Sequence, residues 1–492
     1  MAMRFHQRRF FVYPSGVPNL HTLSSVRKYL ELCLTKYRLL CLNVHHIIWT
    51  RMNSYTLVTT DRCVSLLGYG EAGYSLHKLE AVALRTGKAI VVASAAIERP
   101  VTRQTRVAVA YAVGDDLFLQ VWAPNHESPG NGEAADASDC GKFELEAAPT
   151  CMFSVHAKGT NGDEFYGVMV CCSDTMMAFG YTENGKDGAT AACGRLDNEH
   201  FAGFFPEFGT FSHTILAVDI FTSPEKDQGW IAFGCADGLV RVFNGQVHDG
   251  CLGGPFKIKD LQLNGPVTSV ALFPKQHAAA EGASSTWHCN LLVTCAIGQA
   301  VVYEDLYSTS DEGRDGEMLM DSDSFDSIFA GVTADVDLDG KVELLLGTDS
   351  QVMLAYKEAT DHEEAIKSVH ESRAEESTGG NEDTASPTAP DSSPNIWSDL
   401  DTIPVEDEDV HSVPKSSMVQ RRKWQKLSRS HWDLETFGAI YSLLWRDINH
   451  DGVPELLIAS STGIYVYEAD PVLVIDKLQG VLEALHTSST AH

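Results

Sequence analysis

The chain has 492 residues, with Asp+Glu 67 against Lys+Arg 37 and a formal net charge of −30. At 44% hydrophobic and 9% aromatic it can bury a large core, and its length allows about three ordinary domains or one large repeat domain with additions. A charge of −30 argues against sequence-independent binding to nucleic acid and against anionic membrane surfaces, both of which require a basic face.

In chain order, the first segment is residues 1–51, whose first 50 residues hold seven basic residues and a single acid, Glu31. Its composition resembles a transit peptide, and a true start near Met52 is the equal alternative. It is expected to be a poorly defined basic segment. One pattern then recurs: an apolar strand, a short polar or glycine-containing turn, and a second strand ending in an aromatic. It reads YTLVTTDRCVSLLGY (55–69), RVAVAYAVGDDLFLQVW (106–122), YGVMVCCSDTMMAFGY (166–181), GWIAFGCADGLVRVF (229–243), NLLVTCAIGQAVVY (290–303), KVELLLGTDSQVMLAY (341–356) and PELLIASSTGIYVY (454–467).

The closing aromatics Tyr69, Trp122, Phe179, Phe243, Tyr303, Tyr356 and Tyr467 recur about every 55 residues, except for a gap of 111 before the last. From Glu358 to His411 the chain carries sixteen acids and two bases, Lys367 and Arg373, within a Ser-, Pro- and Gly-rich stretch. Such a stretch cannot bury enough surface to offset its ordering entropy. Removing its 54 residues restores the period, so it is expected as a disordered insertion inside one repeat. A basic patch, Lys415 to Arg429, follows it.

Seven sheet-forming units of this length predict an all-β fold, a seven-bladed β-propeller. Its blades are expected over 52–357 and 431–470, with the acidic-then-basic insertion at 358–430. The helical spacing of VLVIDKLQGVLEAL (472–485) predicts a short C-terminal helix within 471–492.

Two local motifs carry metal chemistry. DVDLDGKVE supplies Asp335, Asp337, Asp339 and Glu343, and DINHDGVPE supplies Asp447, Asn449, Asp451 and Glu455. Oxygen donors at positions 1, 3, 5 and 9, with glycine at 6, are what a Ca²⁺ loop needs. Position 12 is Leu346 or Ile458 rather than the Glu of an EF-hand, and both loops run into strands. They resemble the Asp-rich loops of FG-GAP blades in integrin α-subunits. Two readings stay open, a Ca²⁺ site and a metal-free loop held by Asx turns.

Other motifs are weak. GYGEAG (68–73) lacks a βαβ context, and GYTENGKD (180–187) has Asp187 where a phosphate loop needs Ser or Thr. No GxSxG or HExxH constellation stands in the sequence. The histidines show no ligand spacing, and Cys171 and Cys172 are expected to be buried. No catalytic residue or cofactor site is assigned, and an enzyme is not expected. Without an apolar run of membrane length or an N-x-Ser/Thr sequon, the chain is expected in the cytosol.

FAGFFPEFGTFSHTILAVDIF (201–221), GCADGLVRVF (234–243), GPVTSVALF (265–273), AVVYEDL (300–306), DSFDSIFAGVTADVDLDGKVELLLGT (323–348) and AIYSLLWRDINHDGVPELLIAS (439–460) together resemble the kaptin family. The likeness covers about 150–357 and 436–470. It implies a non-enzymatic propeller subunit of the KICSTOR complex. That complex recruits the GATOR complex to the lysosomal surface and restrains TOR complex one under starvation. The implied partners are KICSTOR-like subunits and a GATOR-like complex. The family also implies actin filaments as a partner, with an actin-rich cortex as the alternative location. An integrin-like adhesion module is the remaining alternative.

Overall fold

In the computed structural model the described residues are 5–12, 48–51, most of 56–359, 423–427 and 438–489. Two compact units are distinguished: Met1–Lys357 with Gln425–His492, and Glu358–Trp424.

The described residues form seven four-stranded antiparallel sheets. The N-terminal strand β1 (Phe5–Val12) stands apart from its neighbours in sequence. The first sheet is β2 (Ile48–Arg51), β3 (Thr56–Thr59), β4 (Val64–Gly70) and β5 (Gly73–Leu79). The second is β6 (Ala89–Arg99), β7 (Gln104–Val113), β8 (Asp116–Ala123) and β9 (Ser138–Glu144). The third is β10 (Cys151–Lys158), β11 (Glu164–Cys171), β12 (Met176–Glu183) and β13 (Gly194–Arg195), followed by helix α1 (Asn198–Phe204).

The fourth sheet is β14 (Ile215–Thr222), β15 (Gln228–Cys235), β16 (Leu239–His248) and β17 (Cys251–Gln262). The fifth is β18 (Val267–His277), β19 (Thr286–Cys295), β20 (Val301–Tyr303) and β21 (Glu317–Met318). The sixth is β22 (Ile328–Ala334), β23 (Glu343–Thr348), β24 (Met353–Glu358) and β25 (Trp424–Lys426). The seventh joins β26 (Ile440–Arg446), β27 (Glu455–Ser460) and β28 (Gly463–Ala469) to β1, in the order β1-β28-β27-β26. Helix α2 (Pro471–Ser489) follows.

Each hairpin read from the sequence is the second and third strand of one sheet. These strands read as continuous apolar runs because both faces are covered. In β23 and β27 every residue is buried, and Leu344, Leu345 and Leu346 are 0% exposed. Burying each such leucine contributes about 1.5–3 kcal/mol. The apolar clusters lie between neighbouring sheets: first with second, second with third, third with fourth, fourth with fifth, and sixth with seventh. A further cluster, including Val58, Leu67, Leu457 and Ile464, joins the seventh back to the first.

The first strands touch in succession, β2 with β6, β10, β14, β18, β22 and β26 in turn, and β26 meets β2. The ring is closed. Among the residues expected as a basic N-terminal segment, 5–12 supply the outer strand of the last sheet and 48–51 the first strand of the first. Pairing of Phe5 with Ala469 and Val12 with Gly463 is non-local, so no short-range periodicity announces it.

FAGFFPEFGTF becomes an aromatic plug at the seam of the third and fourth sheets. Asp197 caps α1 by accepting from the His200 N–H at 2.9 Å. Phe201, Phe205, Phe208 and Phe211 are buried with Phe165, Phe233 and Phe243. The Phe208 and Phe243 rings meet edge-to-face with centroids 5.0 Å apart.

Residues 360–422 of the acidic insertion lie outside the described residues. In the second unit its two ends are held together: the Ala359 N–H donates to the Lys423 carbonyl at 2.7 Å, and Lys423 Nζ is 3.2 Å from Glu358 Oε1. Replacing residues 361–421 by a short Gly/Ser linker is therefore expected to shift the thermal unfolding midpoint by less than about 2 °C. A calorimetric scan showing a drop of about 10 °C or more would mean that this segment contributes core.

Candidate functional site

The two Asp-rich loops have the same backbone. Each places a non-glycine residue in the left-handed region at position 4, Leu338 (φ 55°) and His450 (φ 61°). Each then places glycine there at position 6, Gly340 (φ 85°) and Gly452 (φ 88°). Side chains larger than glycine are strained at the latter position. Asp335 Oδ2 accepts from the Gly340 N–H at 2.9 Å, and Asp447 Oδ2 accepts from the Gly452 N–H at 3.0 Å. The buried glutamates Glu343 and Glu455 close the loops by accepting from the Val336 and Ile448 N–H groups at 2.9 and 2.6 Å. These backbone bonds shape both loops.

The centres of the loops differ. In the first, Lys357 Nζ lies 2.6 Å from Asp337 Oδ2, 2.7 Å from Asp339 Oδ2 and 3.0 Å from Glu343 Oε1. An ammonium stands where three carboxylates converge. Burial works against the lysine's charge, but its bonds to Asp337, Asp339 and Glu343 hold its pKa above the ordinary value. Asp339 is desolvated too, yet Lys357 and the Lys341 N–H hold its pKa down. Burial pushes Glu343 up to about 7, with Lys357 opposing the shift. Asp335, Asp337 and Asp339 also lie close enough to share a cation, and the Lys357 ammonium is what sets this loop apart.

In the second loop the corresponding position holds an acid. Leu344 pairs with Tyr356 in one hairpin and Leu456 with Tyr467 in the other, so Glu468 stands where Lys357 does. The Tyr74 hydroxyl, from the first sheet, lies 2.9 Å from Glu455 Oε1 and 2.7 Å from Glu468 Oε1. One O–H serves two carboxylates. Burial pushes Glu455 up to about 7, the neighbouring Asp451 and Asp447 adding to it. Asp447 Oδ1 is buried and accepts no hydrogen bond. Asp447, Asp451 and Glu455 converge, and Asn449 holds the turn by accepting from the Asp451 N–H at 2.9 Å. Among the described residues no Lys or Arg pairs with those three acids. This donor set fits a hard cation.

Position-by-position spacing singles out the loop carboxylates but not Lys357, Tyr74 or Glu468. The readable signal was one residue beyond the hairpin aromatic, Lys after Tyr356 against Glu after Tyr467. Of the two cysteines read as buried, the Cys171 thiol is raised well above its usual pKa by burial, and Cys172 is pushed up to about 11, also by burial.

A second surface feature is α2. Leu473 is buried, while Val472, Ile475, Leu478 and Leu482 are 53–64% exposed and recur at helical spacing. These four form an apolar stripe facing away from the ring's core. No helix among the described residues is long and apolar enough to cross a membrane.

Seven closed four-stranded sheets define a β-propeller. Within that class, part of the chain is similar to kaptin. Residues 181–377 match the family described as KICSTOR complex protein kaptin. Kaptin of Mus musculus is 30% identical over 224 residues, covering 45% of this chain and 49% of that protein. The matched region thus spans about half the length of the curated relative. The matched family segment runs from β12 through β24 and includes the Lys357 loop. Solved structures with similar strand arrangements include BBS1N in complex with ARL6DN, at TM-score 0.37 and 11% identity over 85% of this chain and 87% of that one. The Dos1 propeller scores 0.36 at 6% identity, over 85% and 76% of the two chains.

Lys357→Met is expected to destabilise the fold by about 1–3 kcal/mol, because three partly buried carboxylates lose their counter-charge. A carboxyl whose folded pKa is raised takes up a proton as the pH falls through that value. Glu343 is such a group, so the deficit of the variant should shrink at pH 5.5 and be largest at pH 8. Millimolar Ca²⁺ should restore part of it at pH 8. Denaturant unfolding at the two pH values, with and without Ca²⁺, reads all three effects; a deficit independent of pH and Ca²⁺ contradicts the assignment.

Proposed function

We propose that the chain is a non-catalytic propeller scaffold of the kaptin type. It acts as one subunit of a KICSTOR-like assembly that brings a GATOR-like complex to the lysosome and restrains TOR complex one when nutrients are scarce. Its setting is the cytosol, with recruitment to the lysosomal membrane through protein partners rather than insertion. The observation that carries the scaffold reading is the stripe of Val472, Ile475, Leu478 and Leu482, at 53–64% exposure. Single exposed apolar residues are ordinary, but four on one helix face suit a partner that covers them. Similarity to kaptin supports this choice of partner class.

The metal reading is narrowed to one loop. Asp447, Asp451 and Glu455, with Asn449 in the same turn, form the proposed Ca²⁺ loop, supported by their convergence. Asp337 Oδ1 is buried and unbonded like Asp447 Oδ1, so Lys357 is what separates the two loops. Asp335, Asp337, Asp339 and Glu343 are proposed to work with Lys357 in place of a metal.

Affinity purification of the tagged chain from starved cells is expected to recover KICSTOR- and GATOR-like subunits. Ile475→Asp with Leu478→Asp is expected to lower that recovery at least about tenfold while leaving the thermal transition unchanged, since both residues are exposed. Recovery of actin without those subunits, or full recovery by the double variant, contradicts the proposal.

A further inference from the structure

A third cluster lies away from both acidic loops, at the seam between the third and fourth sheets. The register of β10 and β11 places His156 opposite Tyr166 and Lys158 opposite Glu164. Glu164 and Tyr166 are two residues apart on one strand, so they share a face with His156. The fourth sheet brings Cys251, the first residue of β17, against that face. Cys251 Sγ lies 2.7 Å from His156 Nε2, and Glu164 Oε2 lies 3.7 Å from the same nitrogen. Three donor atoms of different chemistry converge on one point.

Two arrangements compete to explain this convergence. A nucleophilic relay needs the thiol and the carboxylate on opposite ring nitrogens, so that the base is oriented from behind. Here both face Nε2, and Cys251 is only 1% exposed, out of reach of a substrate. A ligand shell needs the donors aimed at a shared centre, which is what the seam provides. We propose that His156 Nε2, Cys251 Sγ and a Glu164 carboxylate oxygen bind a Zn²⁺ ion that ties the third sheet to the fourth.

The donor set selects the metal. Imidazole, thiolate and carboxylate suit Zn²⁺, whereas a sulfur donor is poor for Ca²⁺ or Mg²⁺. Three protein ligands leave the fourth tetrahedral position to water. The surroundings hold the ligands in place. The Tyr166 hydroxyl donates to Glu164 Oε2, and the Tyr166 ring stacks on His156 with centroids 4.2 Å apart and planes 21° from parallel. Lys158 Nζ lies 3.9 Å from the other oxygen, Glu164 Oε1. Tyr166 is thus a positioning residue for two of the three ligands. Binding forms the Zn–S bond as the Cys251 thiol releases its proton to solvent, so apparent affinity rises with pH. Zn–S and Zn–N bond lengths set the two ligand atoms about 3.6 Å apart, so the metal spreads Sγ and Nε2 by about 1 Å.

The test uses the full chain, purified under reducing conditions and titrated with Co²⁺ as the spectroscopic stand-in for Zn²⁺. The expected result is one equivalent bound, with a sulfur-to-cobalt charge-transfer band in the near ultraviolet that Zn²⁺ bleaches. Cys251→Ser and His156→Ala should each remove the band while keeping the wild-type circular dichroism. Tyr166→Phe, which keeps the ring and loses the hydroxyl, should weaken binding by roughly 10- to 100-fold. A band that persists in Cys251→Ser overturns the proposal, because another of the chain's thiols is then the ligand. No band in the wild type at micromolar Co²⁺ and pH 8 also overturns it, and leaves the cluster as a thiol–imidazole hydrogen bond.

Discussion

The structure depends on one constraint: every sheet has two apolar faces, and only a closed ring gives each face a neighbour. Six seams form between sheets that follow one another in sequence. The seventh brings Val58 and Leu67 of the first sheet against Leu457 and Ile464 of the last. The last sheet is completed by β1, so the two ends of the chain meet in one hydrogen-bonded ladder. Tyr74 spans the same seam to Glu455 and Glu468. Closure therefore joins the ring's geometry to the electrostatics of one acidic loop.

That coupling explains why two loops sharing the same Asp, Asp, Gly and Glu framework differ at their centres. Both have the same glycine-dependent turn and the same buried glutamate. The sixth sheet neutralises its loop from within, through Lys357 on the adjoining strand. The seventh lies at the closure seam and receives a neutral phenol and another acid instead. Burial leaves both glutamates with carboxyls pushed up to about 7, but among the described residues the first alone has an ammonium to meet its charge. The chemistry of a repeat is set here by what its neighbours place beside it.

Much of the fold was legible because its signals are local. The hairpins from YTLVTTDRCVSLLGY to PELLIASSTGIYVY declare themselves by apolar runs, short turns and closing aromatics, and their even period specifies the ring. VLVIDKLQGVLEAL has the spacing of the helix it forms. What was not legible is non-local. The strand Phe5–Val12 pairs with the far end of the chain. The loop carboxylates were visible as a motif, but Lys357 acts across a hairpin and Tyr74 across a seam. His156, Glu164 and Cys251 come from three strands of two sheets, so no spacing along the chain could have joined them. The exposure of Ile475 and Leu478 likewise depends on which face of α2 the ring covers.

Closure by the N-terminal strand is the claim on which the rest turns, and native-state hydrogen exchange read by mass spectrometry tests it most directly. The amides of residues 5–12 should be protected and should exchange in concert with those of 440–469, as one cooperative unit. Exchange of 5–12 at the rate of an unstructured peptide, with 440–469 still protected, would contradict a ring closed by both ends of the chain.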